Sequence, residues 1–253
     1  MASNVTSQKD LTMRKLFLDK INGDEIIITG DEHKHIAYSL RMRVGDEITV
    51  CAGGVDYTAV IDKITKDSAV AKIVGKARNI SEPDHNITLF FGAMKGDKND
   101  FVVQKCTELG VVKFVPFISS YSSIKSENIK TERLNRIALE ASKQSGRGIV
   151  PEVAPTTTFN DLLDFLADFD TVVFPYERAE NGDLGDIVKQ NKTAKNIAVI
   201  LGSEGGFSKA EVEKLQENKV MPITLGDRIL RADTACVAVC STLFYLLGEW
   251  KRK

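Results

Sequence analysis

The stretch Leu201-Gly202-Ser203-Glu204-Gly205-Gly206-Phe207 follows the apolar run 196–200 and precedes a helical pattern that begins near Lys209. A strand-like run that stops at glycines and restarts as a helix is the junction at which open α/β sheets bind ligands. Gly205 and Gly206 let the backbone take conformations closed to other residues and come close to a ligand. Ser208 and Glu211 stand at capping-box spacing, which marks where the next helix starts. A second junction follows residues 221–224 and reads Leu225-Gly226-Asp227-Arg228-Ile229-Leu230-Arg231-Ala232-Asp233-Thr234. Two such loops close together in the chain predict one pocket built by adjacent strands.

Outward from these loops, strand-like runs at 87–93, 113–118, 171–175, 196–201 and 221–225 alternate with helical ones. The helices are expected at 97–109, 131–145, 159–167, 184–190, 209–218 and 233–250. This alternation argues for a parallel sheet with helices on both faces. Before it the period is shorter. Strands are expected at 16–18, 25–29, 47–51, 57–64 and 69–73, with one helical stretch at 31–40, which predicts a small barrel. Residues 79–85, containing Ser-Glu-Pro-Asp, read as a linker, and the polar, aperiodic residues 1–12 as a leader outside the fold. The last helix carries Val237, Val239, Cys240, Leu243, Phe244, Leu246, Leu247 and Trp250 on more than one face, so a homodimer interface is expected there.

Composition narrows the function classes. With 253 residues, 43% hydrophobic and 27% charged, the chain reads as an ordinary globular protein, and it has no apolar run long enough to span a membrane. A formal net charge of −1 gives no overall attraction to nucleic acid, so RNA contacts must come from local patches. Four cysteines form neither a CxxC nor a metal-ligand pattern, and no secretory signal is visible, which points to reduced thiols in a cytoplasm. Cys236 and Cys240, one helical turn apart among apolar residues, read as core. His33 and His35 are two apart and cannot share a helix face as ligands, so no metal site is expected. Gly146-Arg147-Gly148 opens a dinucleotide fingerprint but ends it at Pro151, and no P-loop occurs, so both phosphate cradles are missing.

The paired loops resemble the cofactor signature of SPOUT-class S-adenosylmethionine-dependent RNA methyltransferases. In detail they resemble the ribosomal RNA small subunit methyltransferase E family, which reads Gly-Pro-Glu-Gly-Gly at the first loop and Leu-Gly-x-Arg-Ile-Leu-Arg-x-Glu-Thr-Ala at the second. Here Ser203 stands for the Pro and Asp233 for the Glu. The likeness extends to Lys95-Gly96, Gln104-Lys105, Glu108-Leu109-Gly110, Gln144-Ser145-Gly146-Arg147 and Leu40-Arg41-Met42-Arg43-Val44-Gly45-Asp46. It implies a PUA-like RNA-binding barrel at 13–78 and a SPOUT α/β domain at 86–253 whose parallel sheet carries a trefoil knot. It also implies a homodimer in the cytoplasm that uses S-adenosyl-L-methionine to methylate N3 of a uridine in the 16S rRNA of the small ribosomal subunit. The rival readings are a related knotted enzyme acting on another RNA or a ribose 2′-hydroxyl, and a non-catalytic RNA-binding assembly factor.

On that resemblance the cofactor-binding residues are Phe174, Pro175, Leu201, Gly202, Glu204, Gly205, Gly206, Leu225, Gly226, Ile229, Leu230, Arg231 and Thr234. Backbone groups there would read the adenine edge, and Ile229 and Leu230 would cover it. Arg231 and Arg147 are the candidate cations facing the base, and Glu108 is a candidate carboxylate for proton removal, with Asp233 and Glu204 as alternatives. Arg14, Lys34, Arg41 and Arg43 form a candidate RNA patch, as do Lys95, Lys98 and Lys105. Cations and carboxylates nearly balance over 13–80, so composition alone does not show RNA binding there. Where the family often carries an Arg after the second strand of the SPOUT domain, this chain has Tyr121, a side chain that could stack on a base.

Overall fold

The computed structural model describes residues 15–251 apart from 19, 22, 127 and 128. It contains two compact units. One runs through Glu82 and includes Ser142–Ile149; the other takes the chain from Pro83 onward apart from that segment.

In the first unit, β1 (Lys15–Phe17), β2 (Glu25–Thr29), β3 (Glu47–Ala52), β4 (Val55–Ile64) and β5 (Ser68–Arg78) form one sheet in the order β1-β3-β4-β5-β2. It is a mixed sheet, because β1 runs parallel to β3 while the other pairs are antiparallel. Ala52 pairs with Val55 across Gly53-Gly54, whose φ angles are 56° and 78°. A two-residue hairpin with both φ values positive matches the strand twist, and glycine takes that backbone without a Cβ penalty. On β2, Ile26 and Ile28 point into the core with Leu16, Ile36, Ile48 and Ile61, while Ile27 faces out. The expected helix at 31–40 is instead α1 (Gly30–Lys34) followed by a wider π turn at His35–Ser39. Leu40 N–H reaches back to the His35 carbonyl and Met42 N–H to that of Ile36, a widening that buries Ile36 and ends at Arg41 in left-handed backbone.

The segment Gly146–Ile149 is tied into this unit through buried polar groups. Lys15 Nζ and Asn79 Nδ2 both donate to the Gly146 carbonyl, at 3.2 and 3.1 Å. The Cys51 thiol donates to Gly148 O at 2.8 Å. Burial, reinforced by Asp56, pushes that thiol up to about 12, so it stays protonated. Glu82 accepts from the N–H groups of Gly148 (2.7 Å) and Ile149 (3.0 Å) and pairs with Arg147 at 2.8 Å.

The second unit is a parallel sheet. Its strands are β6 (Asn86–Gly92), β7 (Lys113–Ile118), β8 (Glu152–Val153), β9 (Thr157–Thr158), β10 (Thr171–Pro175), β11 (Asn196–Leu201) and β12 (Pro222–Ile223). The order is β12-β10-β11-β6-β7-β8, with β9 also pairing β7. The helices are α2 (Lys98–Leu109), α3 (Thr131–Ser145, of which the residues from Ser142 count with the first unit), α4 (Phe159–Phe165), α5 (Leu184–Gln190), α6 (Lys209–Glu217) and α7 (Ala232–Leu246). Strand β6 is buried from Ile87 to Gly92 and mostly apolar there, as expected of a strand covered on both faces. Ile87, Leu89 and Phe91 face one core with Val102, Val103 and Cys106 of α2 and Cys236, Cys240 and Leu243 of α7. Phe90, Ala198 and Ile200 face the other with Phe159 and Leu162 of α4 and Val212 and Leu215 of α6.

Strand β12 is shorter than the expected 221–225. Pro222 lacks an N–H, and Thr224 N–H turns away to the Gly182 carbonyl. Helix α7 stops at Leu246 rather than 250 because Gly248, at φ 81°, takes the left-handed stop position. Strands β8 and β9, two residues each, lie in a stretch read as connection. No helix among the described residues is long and apolar enough to cross a membrane.

Candidate cofactor site

Both glycine loops leave the C-terminal ends of neighbouring parts of the parallel sheet, one after β11 and the other after β12, with β10 between them. Together with the turn after β10 they enclose a cavity of about 760 Å³, within the roughly 300–1,000 Å³ usual for small-molecule sites. Pro175, Leu201, Gly202, Glu204, Gly205, Gly206, Leu225, Gly226, Ile229, Leu230 and Arg231 all line it, so eleven of the thirteen expected cofactor residues are brought together. Phe174 and Thr234 do not line it. Phe174 is fully buried beneath, its ring 5.2 Å from that of Phe207, and Thr234 is exposed on the first turn of α7.

The first loop is rigid for local reasons. Gly206 N–H bonds to Ser203 O at 2.9 Å with Gly206 at φ 66°, closing a tight turn over Ser203–Gly206. A Cβ on Gly202 would sit 3.0 Å from the Phe207 ring, and one on Gly92 of β6 would sit 2.2 Å from Ser203 N. Phe207 anchors the loop in the aromatic core, stacked on Phe117 with centroids 6.0 Å apart. Beyond Phe207 the capping box forms as the sequence leads one to expect. Ser208 caps α6, and Glu211 returns a bond to Ser208 N–H at 2.8 Å. The other Glu211 oxygen accepts from Ser120 N–H at 2.7 Å, fastening the turn after β7 to the same cap.

The electrostatics centre on Glu204. Its carboxylate pairs with Lys98 Nζ at 2.7 Å and accepts from Lys95 N–H at 3.4 Å. Burial opposes its charge, but the Lys98 ammonium and the nearby N–H groups outweigh that, and its pKa is lowered. Lys98, expected as an RNA contact, is thus a wall of the cavity. Ala232 and Ala235 of the second loop's signature also line the cavity, and so do Glu177, Ala179 and Thr224, which were not legible in the sequence. The last three carry no loop signature, and only the sheet order places them there. Arg228 and Arg231 line it as well and make no ion pair among the described residues.

The other expected catalytic and RNA positions among the described residues do not line the cavity. Arg147 is 2% exposed in the first unit, bonded to Glu82, and does not line the cavity. Glu108 pairs with Lys105 at 2.9 Å on α2, also outside the cavity lining. Lys34, Arg41, Arg43 and Lys95 are exposed, with Lys34 bonded to Asp31 at 2.9 Å. Arg14 lies outside the described residues. No group of three potential metal ligands occurs among the described residues.

The donor set fits S-adenosylmethionine. Four cavity glycines leave backbone groups accessible, Pro175, Leu201, Ile229 and Leu230 give apolar cover, and carboxylates and guanidinium groups stand around it. The Ser203 hydroxyl is buried without a partner among the described residues, leaving bonding capacity within the loop.

The parallel sheet with its loop-built cavity, accompanied by a small mixed sheet, belongs to the RNA methyltransferase class, as two family models show. The family model described as RNA methyltransferase domain matches residues 81–244, and that described as RNA methyltransferase PUA domain matches 28–74. The chain belongs to the ribosomal RNA small subunit methyltransferase E family. It is 34% identical over 227 residues to that methyltransferase from Bacillus subtilis, covering 86% of this chain and 89% of the relative. It is 32% identical over 234 residues to the one from Aquifex aeolicus, covering 91% and 99%. The solved structure of ribosomal RNA small subunit methyltransferase E from Neisseria gonorrhoeae bound to S-adenosyl methionine superposes with a TM-score of 0.85 at 29% identity, covering 94% of this chain and 100% of that one.

Proposed function

We propose that this protein methylates N3 of a specific uridine in the 16S rRNA of the small ribosomal subunit, using S-adenosyl-L-methionine. The observation that carries the reading is the cavity walled by both glycine loops at the end of the parallel sheet, in a chain of this family. When bound, the cofactor supplies an electrophilic methyl group on sulfur. The chain's residues must bind and orient it, exclude water and make uracil N3 nucleophilic. As N3 loses its proton, negative charge spreads onto O2 and O4, and the unpaired guanidinium groups of Arg231 and Arg228 offset that charge. Glu204 is held ionised by Lys98 and is a weak base, so its part is to orient the cofactor rather than to take the N3 proton. Arg147 and Glu108 act through structure, the first by holding Gly148 and Ile149 beside Glu82, the second by fixing Lys105.

In this reading the first unit binds RNA, the second carries the knotted SPOUT topology, and the enzyme works in the cytoplasm as a homodimer. Tyr245 and Leu246, at the end of α7, and Trp250 beyond it are exposed apolar residues that a second copy would cover. Leu247 packs against the core, so Leu246 is the residue that tests the interface without disturbing the fold. The test is calorimetry with S-adenosylmethionine, then methylation of small subunits from a strain lacking the corresponding gene, with mass mapping of the product. Absence of cofactor binding favours the assembly-factor reading, and a methyl group on another RNA or on a ribose oxygen refutes the N3 assignment.

A further inference from the structure

Tyr121 stands at the tip of a turn too rigid for an idle surface loop. Ser122 N–H bonds to Ser119 O at 3.0 Å, Ser119 N–H bonds to the Ser122 hydroxyl at 2.9 Å, and the two hydroxyls meet at 3.1 Å. Glu211, itself 5% exposed, locks Ser120 N–H from below while capping α6. The Tyr121 backbone also packs on Gly205 of the cavity wall so closely that a Cβ there would overlap it. The turn, the cavity loop and α6 are therefore one fastened block. On that block the tyrosine is left 55% exposed, and it pairs with no other ring among the described residues. Exposed Ser120 and Ser123 flank it, and Lys125 follows.

A large aromatic ring held out on a pre-ordered turn loses little further entropy when a partner arrives. Every base offers a π-face, and single-stranded RNA is gripped by stacking on such rings. We propose that Tyr121 is a stacking platform for a base of the substrate RNA beside the methyl-transfer cavity, a residue that positions the RNA. This rests on the RNA methyltransferase reading.

The test compares Tyr121→Ala and Tyr121→Phe with the wild type, in binding to small ribosomal subunits purified from a strain lacking the corresponding gene. Tyr121→Ala should weaken binding by about 5- to 150-fold, the range for one lost base stack. Tyr121→Phe should bind like the wild type, because the ring and not the hydroxyl makes the contact. The salt slope of binding should not change in either variant, since stacking displaces no counterions. S-adenosylmethionine affinity by calorimetry should match the wild type in both. Ultraviolet crosslinking should place a nucleotide on Tyr121. Unchanged binding by Tyr121→Ala, equal damage from Tyr121→Phe, a matching loss of cofactor affinity, or a ribosomal-protein peptide at the crosslink would each overturn the proposal. A wild-type protein that binds cofactor but no subunits would instead overturn the reading on which it rests.

Discussion

A methyl group at Gly205 would meet the Tyr121 carbonyl oxygen at 2.6 Å. The φ angle of Gly205 is not in the left-handed region, so the constraint is space rather than conformation. Gly205→Val must push the cavity wall away from the turn, at the roughly 1–3 kcal/mol typical of overpacking. The variant should fold with a lower Tm and bind S-adenosylmethionine at least about tenfold more weakly, a change of 1.4 kcal/mol. Normal affinity in a folded variant would remove this loop from the site. The Lys98–Glu204 pair makes a prediction about pH. A carboxylate with a lowered folded pKa contributes stability that is complete above the unfolded value and lost as pH falls through the folded one. Lys98→Met removes the ammonium, so the Glu204 pKa should rise and the acid-side loss of cofactor binding should begin at higher pH. Carboxyl NMR titration of Glu204 reads the shift directly, and an unmoved titration would show that the N–H groups alone hold the charge.

At the scale of elements, α6 depends on one buried carboxylate. Glu211→Ala would leave the N–H groups of both Ser208 and Ser120 without this carboxylate, at about 1 kcal/mol for each part-buried bond lost. Hydrogen exchange should quicken in two separated stretches, 119–122 and 202–208. Quickening at only the helix start would show that the turn after β7 stands without Glu211. The capping box was readable because Ser208 and Glu211 are near neighbours, and Glu211's reach to Ser120 was not, because nothing in the sequence announces a contact 91 residues away. The same division runs through the fold. Strands with a dense apolar run, such as β11, and helices with marked ends, such as α5, were legible to the residue. The π turn after α1 and the two-residue β8 and β9 are set by tertiary packing and pairing, which leave no periodic trace. In the site, glycines marked the loops, but the Phe174 ring packs on Phe207 beneath the cavity that its neighbour Pro175 lines, and charge pairing drew Lys98 to the cavity. Gly248 was a readable stop signal for α7, outweighed at the sequence level by the apolar Trp250 beyond it.

For the whole molecule, the proposed function divides the work between the two units. Arg41 and Arg43 are exposed on the first unit, and every residue lining the cavity belongs to the second. Arg41 has φ 51°, so glycine is its least disturbing replacement. Arg41→Gly combined with Arg43→Ala should weaken subunit binding and lower its salt slope by about 1.4–1.8 if each side chain neutralises one phosphate. Cofactor affinity should not move. Arg231→Ala should do the reverse, cutting single-turnover methylation by about 10²–10³ with little effect on RNA binding. A silent arginine pair, or normal methylation by Arg231→Ala, would contradict this division.

The first unit is also discontinuous in the chain, and that gives its folding a timetable. Gly148, whose N–H fills the Glu82 carboxylate, lies 66 residues beyond that glutamate. A ribosome adding about 5–20 residues per second needs about 3–13 s to cover the gap. Until then the Cys51 thiol, Lys15 and Asn79 are without the carbonyls they bond in the finished protein. The amino-terminal sheet is therefore made first but completed late, while the start of the second unit is already emerging. Nascent chains arrested after Glu82 should be cut readily by protease within the first sheet, and those arrested well past Ile149 should resist. Equal resistance at both lengths would mean that the five strands close without their inserted segment.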